Sequence, residues 1–269
     1  FSSYPNVGVA FDPDTLEPIA DDVVATAVFR QGLGRDFYGA VLDTLEQIGG
    51  YKRLYPGQTP EPGQRAFYAY VYDWRLDNVA AVKGLHELIE QIALDWGDPQ
   101  LKVDVLAHSN GGLMARYYAR YGTADVLTDQ PEPPRWTGAH RIRRLLMIGT
   151  PNLGSMQPVL SHVRGEEIGL RRIPADIVAT CPGAPQLMPH PQTNSLVDLY
   201  GDPVALDLYA IDMWRELGWS IVRPSVRARV SRRLGSKKQA AVYLDALEAF
   251  LSKHLQRARR FHERMSIPA

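Results

Sequence analysis

Leu101-Lys102-Val103-Asp104-Val105-Leu106-Ala107-His108-Ser109-Asn110-Gly111-Gly112-Leu113-Met114-Ala115 is the stretch on which the reading of this chain turns. Residues 101–106 form an apolar run of strand character, and residues 113–121 continue at helical spacing. Between them, residues 107–112 must turn the chain sharply from strand into helix. A serine at such an elbow has a strained backbone and an oxygen that stands exposed beyond the sheet. Small residues two before and two after it, Ala107 and Gly111, let the two backbones approach. The stretch therefore nominates Ser109 as a nucleophile. Small-x-Ser-x-Gly strings also occur in ordinary turns, so the flanking strand and helix carry the reading.

Working outward, the preceding element is a helix expected over residues 79–96. Val82, Leu85, Ile89, Ile92 and Trp96 form its buried stripe, Asn78 is its cap, and Gly97 follows its end. Before it, residues 66–74 form an aromatic run that reads as a strand. A Pro/Gly-rich loop covers residues 55–63. A further helix is expected over residues 36–48, where Tyr38, Val41, Leu45 and Ile48 recur at steps of three and four and Asp36 precedes them. Residues 1–20 read as an extended surface segment, and residues 23–29 are an apolar run of undecided type.

Downstream of the elbow helix, a polar loop over residues 122–138 leads to a short strand, residues 144–148, expected to be buried. It ends in Gly149-Thr150-Pro151-Asn152-Leu153-Gly154. Strand alternating with helix predicts an α/β fold, a parallel sheet with helices on both faces. The alternation then stops. Residues 155–238 are rich in proline with scattered helical pieces, as expected of a mostly helical cap over the carboxyl edge of the sheet. A long amphipathic helix over residues 238–265 closes the chain, its stripe running through Val242, Leu244, Leu247, Leu251 and Leu255. The expected division is a partial core over residues 1–155 and a cap with the long helix over residues 156–269.

With 269 residues the chain can bury a large core. Lys plus Arg equals Asp plus Glu at 30 each, so no global field favours nucleic acid. Cys181 is the single cysteine, which rules out an intrachain disulfide and suggests a buried thiol. No apolar stretch approaches membrane-spanning length, and no signal-peptide pattern is present. The lone thiol and missing leader lean toward a cytoplasmic setting. The chain opens on Phe1 rather than Met, so its true start is expected to be missing. Paired-Cys, His-Glu-x-x-His and Walker-type motifs are lacking, so neither a metal nor a cofactor is expected.

Four segments together resemble one family. They are Phe67-Tyr68-Ala69-Tyr70-Val71-Tyr72-Asp73-Trp74-Arg75, the elbow Ala107 to Gly112, Gly149 to Ser155, and Leu187-Met188-Pro189 with the later Asp207-Leu208-Tyr209 and Trp214. They are similar to the lecithin:cholesterol acyltransferase-like branch of the α/β-hydrolases, over residues 30–220. The resemblance implies a serine hydrolase or acyltransferase acting on lipid or other carboxylic esters through an acyl-enzyme. By the same resemblance Ser109 is the nucleophile and the backbone amide of Asn110 is one oxyanion donor. Such proteins usually open with a strand and a Pro-Gly loop carrying the second donor, for which no counterpart is found before residue 30. Their triad aspartate and histidine follow the long helix, so here both are expected beyond Ala269 and the sheet is expected to be incomplete.

A serine hydroxyl needs an imidazole to take its proton and a carboxylate to orient that imidazole. His254 and His262 fall on the last helix, His140 precedes any acid candidate, and His162 and His190 fall in the cap as structural residues. His108 alternates away from Ser109 along the strand. None is assigned as base. Asp198, Asp202, Asp207 and Asp212 read as solvated turn and cap residues. Asp73, Trp74, His108 and Asn152 are the candidate pocket-lining residues; for Asp73 an ion pair with Arg75 stands beside a site role, and for Trp74 simple core packing stands beside an acyl pocket. Arg223, Arg227, Arg229, Arg232, Arg233, Lys237 and Lys238 form a run free of acidic residues. It reads either as a solvated face or as a contact with an anionic lipid surface. A second class of function stays open, a lipid- or protein-binding domain that keeps the fold without a working triad.

Overall fold

The computed structural model describes residues 7–32, 34–168, 171–193 and 195–268. Phe1 to Asn6, at the start of the segment read as extended, and Ala269 lie outside the described residues. The first elements are a minimal antiparallel pair, β1 (Gln31–Gly32) and β2 (Arg35–Asp36), and then α1 (Gly39–Asp43), which runs on into a π-helical turn over Thr44–Ile48. The helix expected over residues 36–48 is thus split. The wider turn rotates the side chains within it off a 3.6-residue stripe, so Ile48 faces solvent; ahead of it, in α1, Leu42 rather than Val41 is the buried residue. Asp36 does mark the start, accepting from the Ala40 amide at 3.1 Å.

Next, β3 (Lys52–Arg53) pairs in parallel with β4 (Ala66–Phe67). Only the first two residues of the aromatic run expected as a strand over 66–74 find a ladder partner. Two of its tyrosines bond instead to the following helix and its end. The Tyr70 hydroxyl donates to the Ala81 carbonyl at 2.5 Å, and the Tyr68 hydroxyl accepts from Trp96 Nε1 at 3.1 Å. That helix, α2 (Asn78–Asp95), buries Val82, Leu85, Ile89 and Ile92 as its periodicity requires. Its cap is Asp77, whose carboxylate accepts from the Val79 amide at 2.7 Å; Asn78, read as the cap, is instead the first helical residue.

The frame of the site is a strand, a helix and a second strand. Parallel β5 (Val103–His108) and β6 (Ile142–Ile148) flank α3 (Asn110–Tyr121) in sequence. A bulge between Val103 and Asp104 leaves Arg143 as an extra residue, and its guanidinium bonds the Asp104 carboxylate. Leu113, Met114, Tyr117 and Tyr118 of α3 pack with Val79, Val82, Leu85 and Ile89 of α2 in one apolar cluster. The register puts Leu106 opposite Leu146 and His108 opposite Ile148 on one face of the sheet. That face is open: Leu106, Leu146 and Ile148 are about half exposed, at 46%, 50% and 49%. The strand expected to be buried therefore presents apolar side chains to solvent, as a strand does when only one face of a short sheet is covered. The fold is α/β, with small parallel pairs forming an incomplete sheet.

The remainder is mostly helical: α4 (Gln157–Arg164), the short hairpin β7 (Glu166–Ile168) and β8 (Arg171–Ile173), α5 (Ala175–Val178), α6 (Ile211–Glu216), α7 (Pro224–Leu234) and α8 (Lys237–Ser266). The hairpin was not expected, because three-residue strands leave almost no periodic signal. In α8 the Ser236 hydroxyl caps the start, and Leu244, Leu247, Phe250, Leu251 and Leu255 are buried against the preceding helices. Each such side chain contributes about 1.5–3 kcal/mol. Val242, read as part of this stripe, is 65% exposed. Farther along, Phe261 and Met265 leave that cluster and join the one beneath α3, so a single helix packs into both apolar clusters. Its last carbonyls accept from α3: Arg264 from the Tyr121 hydroxyl and Met265 from Arg116 Nη2, each at 2.7 Å. No helix among the described residues is long and apolar enough to cross a membrane.

Candidate active site

Ser109 joins β5 to α3 with φ 52° and ψ −124°, a left-handed conformation that a residue bearing a Cβ rarely adopts. Its own amide donates to the Ile148 carbonyl at 3.0 Å, which ties the elbow to β6, and its carbonyl accepts from the Gly112 amide at 3.0 Å. Its hydroxyl has no hydrogen-bond partner among the described residues, and neither do the Asn110 and Gly111 amides. Those amides are the first two N–H groups of α3, which a helix leaves unsatisfied and which carry its positive dipole end. The elbow thus combines a free hydroxyl with two free donors. Chemically, that is a hydroxyl beside a helix terminus able to stabilise an anion.

The steric demand at the elbow falls one residue later than the sequence reading put it. A Cβ on Gly111 would meet nothing within 4 Å, whereas one on Gly112 would lie 1.9 Å from Thr150 Oγ1 and 2.7 Å from its Cγ2. It is Gly112 that brings α3 against the chain leaving β6. Ala107, on the strand side, is buried as expected.

Behind the elbow lies a hydrogen-bonded group the sequence did not reveal. The Asn78 and Asn110 carboxamides pair reciprocally, Asn78 Nδ2 donating to Asn110 Oδ1 at 3.1 Å and Asn110 Nδ2 donating back to Asn78 Oδ1 at 2.9 Å. Asn110 Nδ2 also donates to the Tyr72 hydroxyl at 3.1 Å, and burial pushes the Tyr72 phenol above its usual pKa. The Asn78 amide donates to Gln186 Oε1 at 2.9 Å, and Gln186 Nε2 donates to Asp77 Oδ2 at 2.8 Å. Asn78 and Gln186 are fully buried. Gln186 had no signal in the sequence, because it reaches Asn78 across 108 residues.

The remaining candidates are distributed as follows. Asp73 lines a cavity of about 420 Å³ whose walls include Val9, Ile19, Val23, Val71 and Tyr72. It also pairs with Arg75 at 2.6 Å, and Arg75 reaches Asp21 at 2.9 Å, so the ion-pair reading of Asp73 holds. Trp74 is 52% exposed, so core packing does not describe it, and it does not line that cavity. His108 is exposed on the open face, its Nδ1 2.8 Å from the Tyr38 hydroxyl, and it contacts no group of the elbow. Asn152 is exposed and accepts from Arg116 Nη1 at 3.1 Å, outside the cavity.

The other histidines are held elsewhere. His162 is fully buried, with Nδ1 2.8 Å from the Pro158 carbonyl and its ring edge-on to Trp214. His190 is buried with Nε2 2.8 Å from Ser266 Oγ, and His262 lies 5.7 Å from it, ring to ring. His254 packs on Phe250 with neither nitrogen bonded among the described residues. Burial pushes His162 and His262 down to about 4 and His254 down to about 3, so all three are neutral and apolar in character at neutral pH. Burial likewise pushes the Cys181 thiol up to about 12, as expected of an inert thiol. In the basic run, Arg229 and Arg233 pair with the buried Asp176, the latter at 3.2 Å, and Arg223 donates to the Val163 carbonyl at 3.1 Å. Arg227, Arg232, Lys237 and Lys238 have no ion-pair partner among the described residues.

The family model described as lecithin:cholesterol acyltransferase matches residues 60–194, half of the chain and the part that holds the Tyr72 loop, the elbow and the Gly149 to Ser155 segment. No curated protein matches the chain. Among solved structures, a chain of the crystal structure of the Tle4-Tli4 complex is similar at 18% identity and a TM-score of 0.48, over 76% of this chain. This chain spans 42% of the length of that one.

Proposed function

The chain belongs to the lecithin:cholesterol acyltransferase family, within the α/β-hydrolases, and from that premise we propose that Ser109 is the nucleophile of a lipid-ester hydrolase or acyltransferase. The observation that carries this reading is the strained Ser109 backbone beside the free Asn110 amide. Ser109 Oγ attacks the ester carbonyl while its proton passes to an imidazole. The resulting oxyanion takes the Asn110 amide as one donor, worth several kcal/mol of barrier. Collapse expels the alcohol, which takes the proton back, and leaves an acyl-Ser109 that water or a second alcohol then relieves.

No described histidine is assigned as that imidazole, and its orienting carboxylate is likewise unassigned. What supports this is the placement of the described histidines: His162, His190, His254 and His262 are buried, His86 and His108 are bonded to Tyr118 and Tyr38, and His140 is exposed just before β6, at the opposite end of that strand from the Ile148 carbonyl that holds Ser109. The apolar cavity beside Tyr72 suits the acyl chain: Tyr72 borders both it and the Asn110 side chain, and its charged groups, Asp21, Asp73 and Arg75, are tied up in ion pairs with one another. The unpaired Arg227, Arg232, Lys237 and Lys238 face an anionic lipid surface, so replacing all four with glutamine should weaken cosedimentation with anionic vesicles at low salt.

A fluorophosphonate probe tests the central claim. It should label the full-length protein at Ser109 and fail to label Ser109→Ala. A folded, unlabelled protein would favour the alternative class, a binding domain on the same fold.

A further inference from the structure

We infer that Asn78 is a positioning residue for the oxyanion amide, acting through its reciprocal carboxamide pair with Asn110. The inference rests on the reading of Ser109 as nucleophile and adds a residue that does not touch the reacting atoms. A backbone in the Ser109 conformation persists only where its surroundings over-determine it. One side of the elbow is held by Ser109 N–H on the Ile148 carbonyl at 3.0 Å. The other side is held through the side chain of the next residue: Asn110 is clamped by two antiparallel amide hydrogen bonds, of 2.9 and 3.1 Å, to Asn78.

A planar carboxamide pair fixes more than a distance. Two parallel bonds set the rotation of the Asn110 side chain about both of its torsions, and Tyr72 accepts its remaining amide hydrogen at 3.1 Å. With the side chain immobile, the Cα and the amide plane of residue 110 lose their freedom to rotate, and its N–H points at one place. Asn78 can serve as the fixed half because it is itself fully buried and anchored. Its backbone amide reaches Gln186 at 2.9 Å, and Gln186 reaches the capping carboxylate of Asp77 at 2.8 Å. An ordinary helix start needs none of this, since Asp77 already caps α2.

The variants Asn78→Ala and Asn78→Asp test the role in the full-length protein, read by the second-order rate of Ser109 labelling with a fluorophosphonate. A displaced donor near the reacting centre slows such a step roughly tenfold to hundredfold, and that is the loss expected for Asn78→Ala. Val82→Ala, which loosens the same helix in its buried stripe without touching the carboxamides, should label within about twofold of wild type at comparable loss of thermal stability. For Asn78→Asp the ionised carboxylate accepts from Asn110 but cannot donate to it. The protonated acid regains a donor, so the ratio of variant to wild-type labelling rates should climb severalfold as pH is lowered from 8 to about 5, burial holding the acid's pKa up.

A second readout is independent of the chemistry. Hydrogen exchange of the Ser109 and Gly112 amides, which are hydrogen-bonded on either side of residue 110, should quicken in Asn78→Ala and stay unchanged in Val82→Ala. Wild-type protein that is folded but unlabelled overturns the nucleophile reading and leaves the exchange measurement to judge the clamp. Labelled wild type with Asn78→Ala at the same rate, or unchanged exchange at residues 109 and 112, overturns the positioning role.

Discussion

Arg257 of α8 and Asp77, the cap of α2, meet at 2.6 Å although 180 residues separate them. The same carboxylate caps the Val79 amide and accepts from Gln186, and the same guanidinium reaches Asp125 at 2.8 Å. One acidic side chain therefore links the long helix, the loop carrying Gln186 and the helix that presents Asn78 to the elbow.

Because Asp77 serves three partners, Asp77→Ala should destabilise the protein by about 2 kcal/mol, the sum of a lost cap and a mostly buried arginine left with Asp125 alone. Arg257→Ala alone should cost less. Urea denaturation of the two single variants and the double should give a coupling energy of about 1 kcal/mol; strict additivity would contradict the pairing.

Acid should unfold this protein through its buried histidines. His162, His254 and His262 have pKa values held near 4, 3 and 4 by burial, below the value of about 6.5 in an unfolded chain. Between about pH 6.5 and 4 the unfolded chain therefore binds more protons, and stability falls as pH falls, by up to about 1.4 kcal/mol per pH unit for each histidine. Melting temperatures recorded from pH 7.5 to 4.5 should stay level above 6.5 and drop steeply below it. The drop should be shallower in His254→Phe. A profile flat to pH 4.5 would remove the premise.

Gly112→Ala and Gly111→Ala should behave oppositely. A methyl group at residue 112 collides with the Thr150 side chain at both branches, and overpacking of this kind costs about 3 kcal/mol. At residue 111 the methyl meets nothing, and alanine's helix preference should make the change neutral or slightly stabilising, within about 1 kcal/mol. Equal effects in thermal unfolding would mean that α3 does not approach Thr150 this closely.

Residues 1–269 alone should hydrolyse a short acyl ester slowly or not at all while retaining helical and strand signals in circular dichroism. Robust turnover abolished by Ser109→Ala would bring the base back inside this chain and make a cap histidine such as His190 the first to mutate.

The elbow could be read directly because a strand-to-helix turn imposes its pattern locally, through Ala107 and Ser109, although the glycine that sterics require, Gly112, answers to Thr150 and could not be told from Gly111 by sequence. The stripes of α2 and α8 could be read for the same reason, as periodicity needs no knowledge of the partner. What failed was information that only the partner holds. The aromatic alternation from Tyr68 to Trp74 encodes a strand's two faces yet cannot supply a neighbouring ladder, and the tyrosines went to α2 instead. Residues 144–148 look like a core strand, but Leu146 and Ile148 lie on the uncovered face. Asn78 and Asp77 are both good caps by type, and only three-dimensional placement decides that Asp77 caps while Asn78 turns its side chain to Asn110.

The left-handed backbone at Ser109 also sets this residue against the interests of the fold. A side chain held there stores about 1–3 kcal/mol of strain, more than the roughly 0.5–1 kcal/mol that glycine's extra unfolded-chain freedom would take away. Ser109→Gly should then be at least as stable as the natural protein. Directed evolution for heat resistance, with no selection for turnover, would discard the serine early, and its retention in nature would be a sign that something other than folding keeps it.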